Sequence, residues 1–386
     1  MNKLLDHIFY FVLSSYIFII MLDPTNDLFG LKNLLFVFVL LLTFVKRNFV
    51  FDKISLVFIL FNIVLFFYSI LCAFLNNTYY DESFQISILK LTLFSFIIYA
   101  ITSIDRDKLL EMNYKIGLFL SIIIICVFIY CVSSTENFVM IYDYMMEFQR
   151  NPTILISKRS YYGFEFLSFF YRSAPFVLFA LVYKGRRIFS FVDFVSFVLI
   201  FFSLLISGSR VPMLSCLLIL LYSFIFVRKM NFKLKIFLFI IVLLLFVSLV
   251  VLLLLERDSG SLVKYSLFDS YVDNLFESFS SFMGEGVGSV FYDVSRKIMI
   301  THSELSFFDS LRFFGFFLGG LFNIVVFLPS TLFFISDSKD VKDFGLAYFL
   351  YMVIASTNPF LFCSTGWYVF ALGFMFLCYN SFMIKS

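Results

Sequence analysis

Long runs of apolar residues alternate along this chain with short polar connections. A helix needs roughly 20 apolar residues to cross the hydrocarbon of a bilayer. Twelve runs meet or approach that length: 5–22, 31–45, 54–75, 85–103, 116–133, 166–183, 189–207, 211–227, 236–255, 305–336, 344–356 and 366–384. The tenth is long enough to hold a bent or re-entrant piece. The pattern predicts an all-α integral membrane protein of about 12 transmembrane helices, formed as one polytopic domain over 1–386.

The connections fall into two alternating sets. One holds Lys3; Lys46, Arg47 and Lys53; Arg106, Lys108 and Lys115; Lys184, Arg186 and Arg187; Arg228, Lys229, Lys233 and Lys235; Lys339 and Lys342; and Lys385. Cytoplasmic loops are enriched in Lys and Arg, so this set is read as cytoplasmic, together with both termini. The other set opens with Asp23-Pro24-Thr25-Asn26-Asp27 and with Asn76-Asn77-Thr78 through Asp81-Glu82. It also contains two long loops, 134–165 and 256–304. Their Tyr, Phe, Arg and Asp content predicts folded loops rather than linkers.

Composition agrees with this pattern and removes other classes. The chain is 62% hydrophobic and 14% charged, more apolar than a water-soluble fold of 386 residues can hide. A net charge of +3 is too small to imply nucleic acid as a partner. The six cysteines show no CxxC spacing and lie mostly in apolar runs, and there are two histidines. A disulfide framework, a zinc site and a histidine-based metal centre are not expected. The first run, with no small-residue cleavage site after it, reads as a retained span.

Charge placement then points to chemistry. The outward set should be poor in cations, yet it holds Arg150, Lys158, Arg159, Arg210, Arg257, Lys264, Arg296 and Lys297. Arg172 and Arg312 are expected inside apolar spans, where a charge costs roughly 2.5–3.5 kcal/mol. Clustered cations on that side suit an anion. Arginine suits phosphate best, since its planar fork makes two parallel bonds. The plainer alternative for each is an interfacial cation, or a partner for Asp143, Glu147, Asp258 or Asp293. Arg210 closes the turn Ser207-Gly208-Ser209-Arg210 and is expected at a helix N-terminus, where amide groups already favour an anion.

His7 is expected at the cytoplasmic interface. His302 is the one histidine on the outward side, in Thr301-His302-Ser303-Glu304-Leu305, where the second long loop re-enters the membrane. An imidazole titrates near neutrality and can take a proton from a sugar hydroxyl. A helix starting there would put His302, Ser306 and Asp309 on one face, with Asp309 and Arg312 able to neutralise each other. Thr301 or Ser303 could cap it, and His302 itself could be merely a capping or interfacial side chain. Upstream, Gly284-Glu285-Gly286-Val287-Gly288-Ser289 allows sharp turns and close backbone approach. Before that, Leu267, Phe268, Tyr271, Val272, Leu275, Phe276, Phe279 and Phe282 recur at helical spacing. They predict an amphipathic helix, lying either on the outer leaflet or as a lid on the protein.

The order of these features resembles the O-antigen polymerase and O-antigen ligase group of bacterial envelope glycosyltransferases. The resemblance rests on the many spans, the Ser207–Arg210 turn, the large outward loop, the Gly284–Ser289 segment, Thr301-His302-Ser303, and an apolar helix through Gly315, Gly319 and Gly320. It is strongest over about 200–325. Gly315 lies further from His302 than the matching glycine of the ligase pattern, a departure that suits the more variable polymerases.

The resemblance implies a GT-C-like glycosyltransferase of the bacterial inner membrane that uses no metal or cofactor. It would move a growing glycan from undecaprenyl diphosphate onto a carrier-linked repeat unit, on the periplasmic face. His302 would activate the acceptor hydroxyl and Arg210 would hold the diphosphate. Arg159, Arg172, Arg257, Arg296 and Lys297, with Gly286 and Gly288, are the expected substrate contacts. Expected partners are the lipid-linked oligosaccharide, membrane lipid and a chain-length regulator protein, with no nucleic acid. A ligase acting on lipid A core, and a transporter of lipid-linked sugars, are the alternatives.

Overall fold

The computed structural model describes residues 2–26, 28–76, 80–147, 153–161, 164–187, 190–223, 240, 244, 259–277, 282–294, 297–303 and 305–383. The chain is mostly helical. It begins with α1 (Asn2–Leu22), α2 (Lys32–Arg47), α3 (Lys53–Asn76), α4 (Glu82–Phe94), α5 (Ile97–Ile101) and α6 (Arg106–Ser133). Among the described residues, five helical stretches can cross a membrane by length and apolar composition: Leu4–Leu22, Lys53–Asn76, Glu82–Ile101, Arg106–Ser133 and Ser306–Ile335. The fold is that of a helical membrane protein. Run 236–255, apart from residues 240 and 244, and the end of 211–227 lie outside the described residues.

The described residues of the first of the two long loops are folded. The loop contains α7 (Thr135–Glu147) and a hairpin of β1 (Ile154–Tyr161) and β2 (Phe164–Tyr171), antiparallel, with Ile154 opposite Tyr171 and Arg159 opposite Phe166. The apolar run 166–183 is therefore not one span. Its first part is β2, and a 3₁₀ turn at Ala174–Phe176 separates that strand from α8 (Val177–Gly185). Arg172 follows β2 directly, and its amide donates to Thr153 O at 3.0 Å, so it sits at the mouth of the bundle instead of within a helix. The physical reason is period. Ile154 and Ile156 are buried while Leu155 is exposed, the alternation of a strand with one covered face. The aromatic-rich partner sequence suits the same pleated surface.

Next come α9 (Phe191–Leu205) and α10 (Arg210–Tyr222), then α11 (Ser259–Glu277). A second hairpin pairs β3 (Phe291–Asp293) with β4 (Ile298–Ile300). The last helices are α12 (Ser306–Phe327), α13 (Leu332–Ile335), α14 (Lys339–Ser356) and α15 (Ser364–Met383). The middle of α15 is buried on all sides, with Tyr368, Val369, Phe370, Ala371 and Leu372 fully covered. Its polar side-chain atoms are bonded to neighbouring helices: Trp367 Nε1 donates to Ser95 Oγ at 2.8 Å and the Tyr368 hydroxyl to Asn113 Oδ1 at 2.7 Å. Buried indole and phenol groups require such partners.

α12 is not one straight helix but two helical stretches meeting at a kink. Gly315 takes φ 79° and ψ 169° within it. Asn323 Nδ2 reaches Phe307 O at 3.2 Å and Ser310 Oγ at 2.6 Å. Residues 307 and 323 would stand about 24 Å apart along a straight helix. The two halves of α12 therefore fold back on each other as a helical hairpin with Gly315 at its tip. Every residue from Asp309 to Gly315 is buried, the condition under which a broken helix is tolerated at membrane depth.

Contacts sort the connections into two ends. At one end Arg47 pairs with Asp52 at 2.6 Å, Arg186 with Asp340 at 3.0 Å and Asp343 at 3.2 Å, and Arg187 with Asp340 at 2.9 Å. Lys184 pairs there with Asp193. At the other end the 23–26 turn, the β1–β2 hairpin, the glycine segment and the start of α12 meet. There Thr25 and Thr153 hydroxyls lie 3.2 Å apart, and Asn76 Nδ2 donates to Gly284 O at 2.8 Å.

Candidate functional site

The glycine segment 284–289 lies buried between α3, α4 and the tip of α12. Its backbone forms no helix or longer strand and bonds both to side chains and to the backbone of Asp81 and Arg312. Val287 N donates to Ser69 Oγ at 2.6 Å, and Gln85 Nε2 donates to Val287 O at 2.9 Å. Tyr68 donates to Met283 O at 2.7 Å. Gly286 has φ 91°, and a Cβ there would stand 2.5 Å from Ala73 Cβ and from Ser69 O. At Gly288, φ 89°, a Cβ would meet Gln85 Cγ at 2.8 Å. Both glycines are covered, and the close approach they permit is to α3 and α4.

Against this segment stands Arg312, wholly buried. Its Nη1 donates to Ser289 O and Oγ, both at 2.6 Å, and lies 3.5 Å from Glu285 Oε2. Its Nη2 donates to Thr301 O and lies 3.7 Å from Asp309 Oδ1. The guanidinium also lies over the rings of Phe291 and Phe313, 4.6 and 4.8 Å from their centroids. The Asp309–Arg312 pair expected at i, i+3 is thus present, joined by Glu285 from a distant part of the chain. Burial of these three side chains is sustained by the added hydrogen bonds.

Asp309 has two further partners. Its Oδ2 accepts from Ser303 N at 3.0 Å, and its Oδ1 accepts from the hydroxyl of Tyr271 on α11. Tyr271 Oη is also 2.8 Å from Ser303 Oγ. These bonds explain why the helix does not begin at His302. The Ser303 amide is held by the Asp309 side chain and the Leu305 amide by Ser303 Oγ at 2.9 Å, so α12 starts at Ser306. Residue 305 occupies the cap position with no side-chain cap, and neither Thr301 nor Ser303 fills that role. His302 stands in the loop before the helix, not on one of its faces with Ser306 and Asp309.

The His302 ring stacks on Phe84, centroids 4.8 Å apart and planes 17° apart. Thr301 Oγ1 is 3.3 Å from its Nδ1. The ring is accessible to solvent, yet protein atoms surround it densely. That desolvation pulls its pKa below the usual imidazole value, and the charges of Arg312 and then Arg172 lower it further, against Asp81. Asp81 is held below the usual carboxylate range, first by the Ser83 hydroxyl and more weakly by His302. His302 is therefore an accessible imidazole whose neutral form is favoured by burial and by the charges of Arg312 and Arg172.

Arg210 opens α10 as its first residue, after Gly208 at φ 59°. That turn is fastened to the β1–β2 hairpin: Ser168 Oγ donates to Ser207 O at 2.7 Å and Phe169 N to Ile206 O at 3.0 Å. Arg210 and Arg172 thus flank one strand, Arg210 beyond the turn bonded to it and Arg172 at its end. Lys297 is exposed in the β3–β4 turn at φ 54°. Arg159 lies in β1. Arg257 and Arg296 lie outside the described residues.

Sequence reasoning did not single out Tyr271, Phe84 or Asp81 as parts of this site. Tyr271 stood only as one apolar position of an amphipathic helix, and no spacing links residue 81 to residue 302. Among the described residues no group of three His, Cys, Asp or Glu side chains is placed to hold a metal ion. The fold and site together define a helical membrane protein with a buried ionic cluster beneath an accessible histidine. No family model, curated protein or solved structure matches the chain.

Proposed function

We propose that the chain is a glycosyltransferase of the bacterial inner membrane that polymerises lipid-linked oligosaccharides. It spans the membrane about 12 times in a GT-C-like manner, with both termini cytoplasmic and His302 on the periplasmic side. The observation that carries this reading is His302 itself: accessible, held neutral and flanked by Arg172 and Arg312. In the reaction, the acceptor hydroxyl loses its proton to His302 Nε2 while Nδ1–H faces Thr301 Oγ1. The acceptor oxygen forms a bond to the donor sugar's anomeric carbon. The bond from that carbon to the undecaprenyl diphosphate oxygen breaks, and the diphosphate leaves with the electron pair. Arg172 and Arg210 stabilise its charge. Electrostatic stabilisation of a leaving group and a positioned base are the two contributions such a transfer needs. Arg312 donates mainly to protein oxygens, so its part is to lower the histidine's proton affinity. A chain-length regulator is a proposed partner.

The test is a lipopolysaccharide gel from cells lacking the gene and complemented with the wild type or His302→Ala. Core bearing a single repeat unit, with the ladder gone in both deletion and variant, supports the polymerase. A full ladder with His302→Ala at normal abundance removes the base role. A second reading, a transporter of lipid-linked sugars, draws on the broken helix at Gly315, since broken helices build transporter sites. Core with no repeat unit at all in the deletion strain would favour that reading or a ligase.

A further inference from the structure

The segment 301–303 carries His302 but belongs to no helix or strand, so something outside it must hold the ring in place. The geometry points to a clamp on both sides of His302, built by α12 and closed by Tyr271 of α11, which makes Tyr271 and Asp309 positioning residues for the histidine. This rests on the reading of His302 as the base.

On one side, Arg312 Nη2 holds the Thr301 carbonyl. On the other, Asp309 Oδ2 holds the Ser303 amide at 3.0 Å. Tyr271 joins the two anchors of that second side. Its single hydroxyl proton goes to Asp309 Oδ1, so the 2.8 Å contact with Ser303 Oγ has serine as the donor. Ser303 Oγ in turn accepts from Leu305 N at 2.9 Å, which fixes the entry into α12. Each donor hydrogen of this relay has its own acceptor, and the result is a fixed backbone on either side of residue 302. The ring then has one surface to rest on, Phe84 of α4.

Tyr271 reaches this position because α11 packs on the protein as a lid. Leu267 and Tyr271 are fully buried on that face, with Phe291 and Phe308 beside the tyrosine ring at 4.6 and 5.7 Å. Tyr265, with a relative exposure of 73%, faces outward. Leu267 and Tyr271 of this amphipathic helix thus pack on the protein. The helix is consequently coupled to His302 through one phenolic hydroxyl.

Having two histidines makes a direct test practical. In a His7→Gln protein, reconstituted in lipid nanodiscs with ¹³C-labelled histidine, the one ring signal belongs to His302. Stacking on Phe84 displaces its Cε1–H resonance upfield, and Phe84→Leu removes that displacement and calibrates it. Tyr271→Phe keeps the packed ring and deletes only the hydroxyl. The expected result is loss of the upfield displacement in Tyr271→Phe, and likewise in Ser303→Ala should the first variant fold poorly. A displacement equal to that of the parent protein in folded Tyr271→Phe overturns the clamp. The signal reports ring position, not turnover. Loss of the displacement with an unchanged polymer ladder therefore supports the clamp and removes the base role instead.

Discussion

The two ends of the bundle use arginine in different ways. At the end holding Arg47, Arg186 and Arg187, each guanidinium meets aspartate carboxylates and remains 20–29% exposed. At the other end Arg312 is fully buried and makes its shortest bonds to the Ser289 hydroxyl and to the Ser289 and Thr301 carbonyls. The first arrangement fastens helix ends together at part-exposed sites, where a pair is worth less than a fully buried one. The second organises irregular backbone, the glycine segment and the residues around His302, which no helix or strand ladder could hold. A charge removed from the first end should loosen it slightly. A charge removed from the second should dismantle the site.

The sharpest break of that comparison is Arg312→Leu. It strands Glu285 and Asp309 as buried carboxylates, and loss of one partner from a buried pair costs about 3–5 kcal/mol. Folded protein recovered in detergent should fall steeply, and the remainder should melt well below the parent in a thermal scan. Near-normal yield and melting would show that Arg312 is no keystone. Next, Gly286→Ala should destabilise by about 1–3 kcal/mol, by overpacking against Ala73 and Ser69 at a positive φ. The matched control is Gly320→Ala, where a Cβ meets nothing within 4 Å, and equal melting of the two variants would contradict the packing account.

A smaller effect should appear in pH dependence. The His302 pKa is lowered, so the neutral imidazole persists below the ordinary value of about 6.5. Polymer extension in membranes should therefore decline only as pH falls through that lowered value. Arg172→Gln removes one cause, and the acid limb should move up toward 6.5. A profile unmoved by this change would separate Arg172 from the histidine. The smallest effect belongs to the opposite end. Arg47→Ala should cost about 1 kcal/mol or less and leave extension intact, measured by melting and by the gel.

Hydropathy made most helices legible, because a membrane span is recognised by composition over a fixed length. It failed at 166–183 for the same reason. A window that averages apolarity cannot separate Phe166–Tyr171 paired with β1 from the helix that follows. Length did reveal that the tenth run could hold a bent or re-entrant piece, and Gly315 supplies the break. His302 stood out because it is rare and lies at a loop end. Its surroundings did not, since Phe84 and Tyr271 approach it from chain positions hundreds and tens of residues away.

The sequence by itself determined the class of the molecule and where its helices run, because burying so many apolar groups in a bilayer depends on composition and period. It also marked the histidine, the Asp309–Arg312 spacing and the glycine segment as unusual. Only the tertiary structure decided that the glycines serve backbone packing, that α12 doubles back, and that Arg312 holds Thr301 on one side of His302 while Asp309, bonded to Tyr271, holds Ser303 on the other. Those outcomes depend on which distant groups satisfy each buried donor and acceptor, and hydrogen-bond pairing between remote segments leaves no period in the chain.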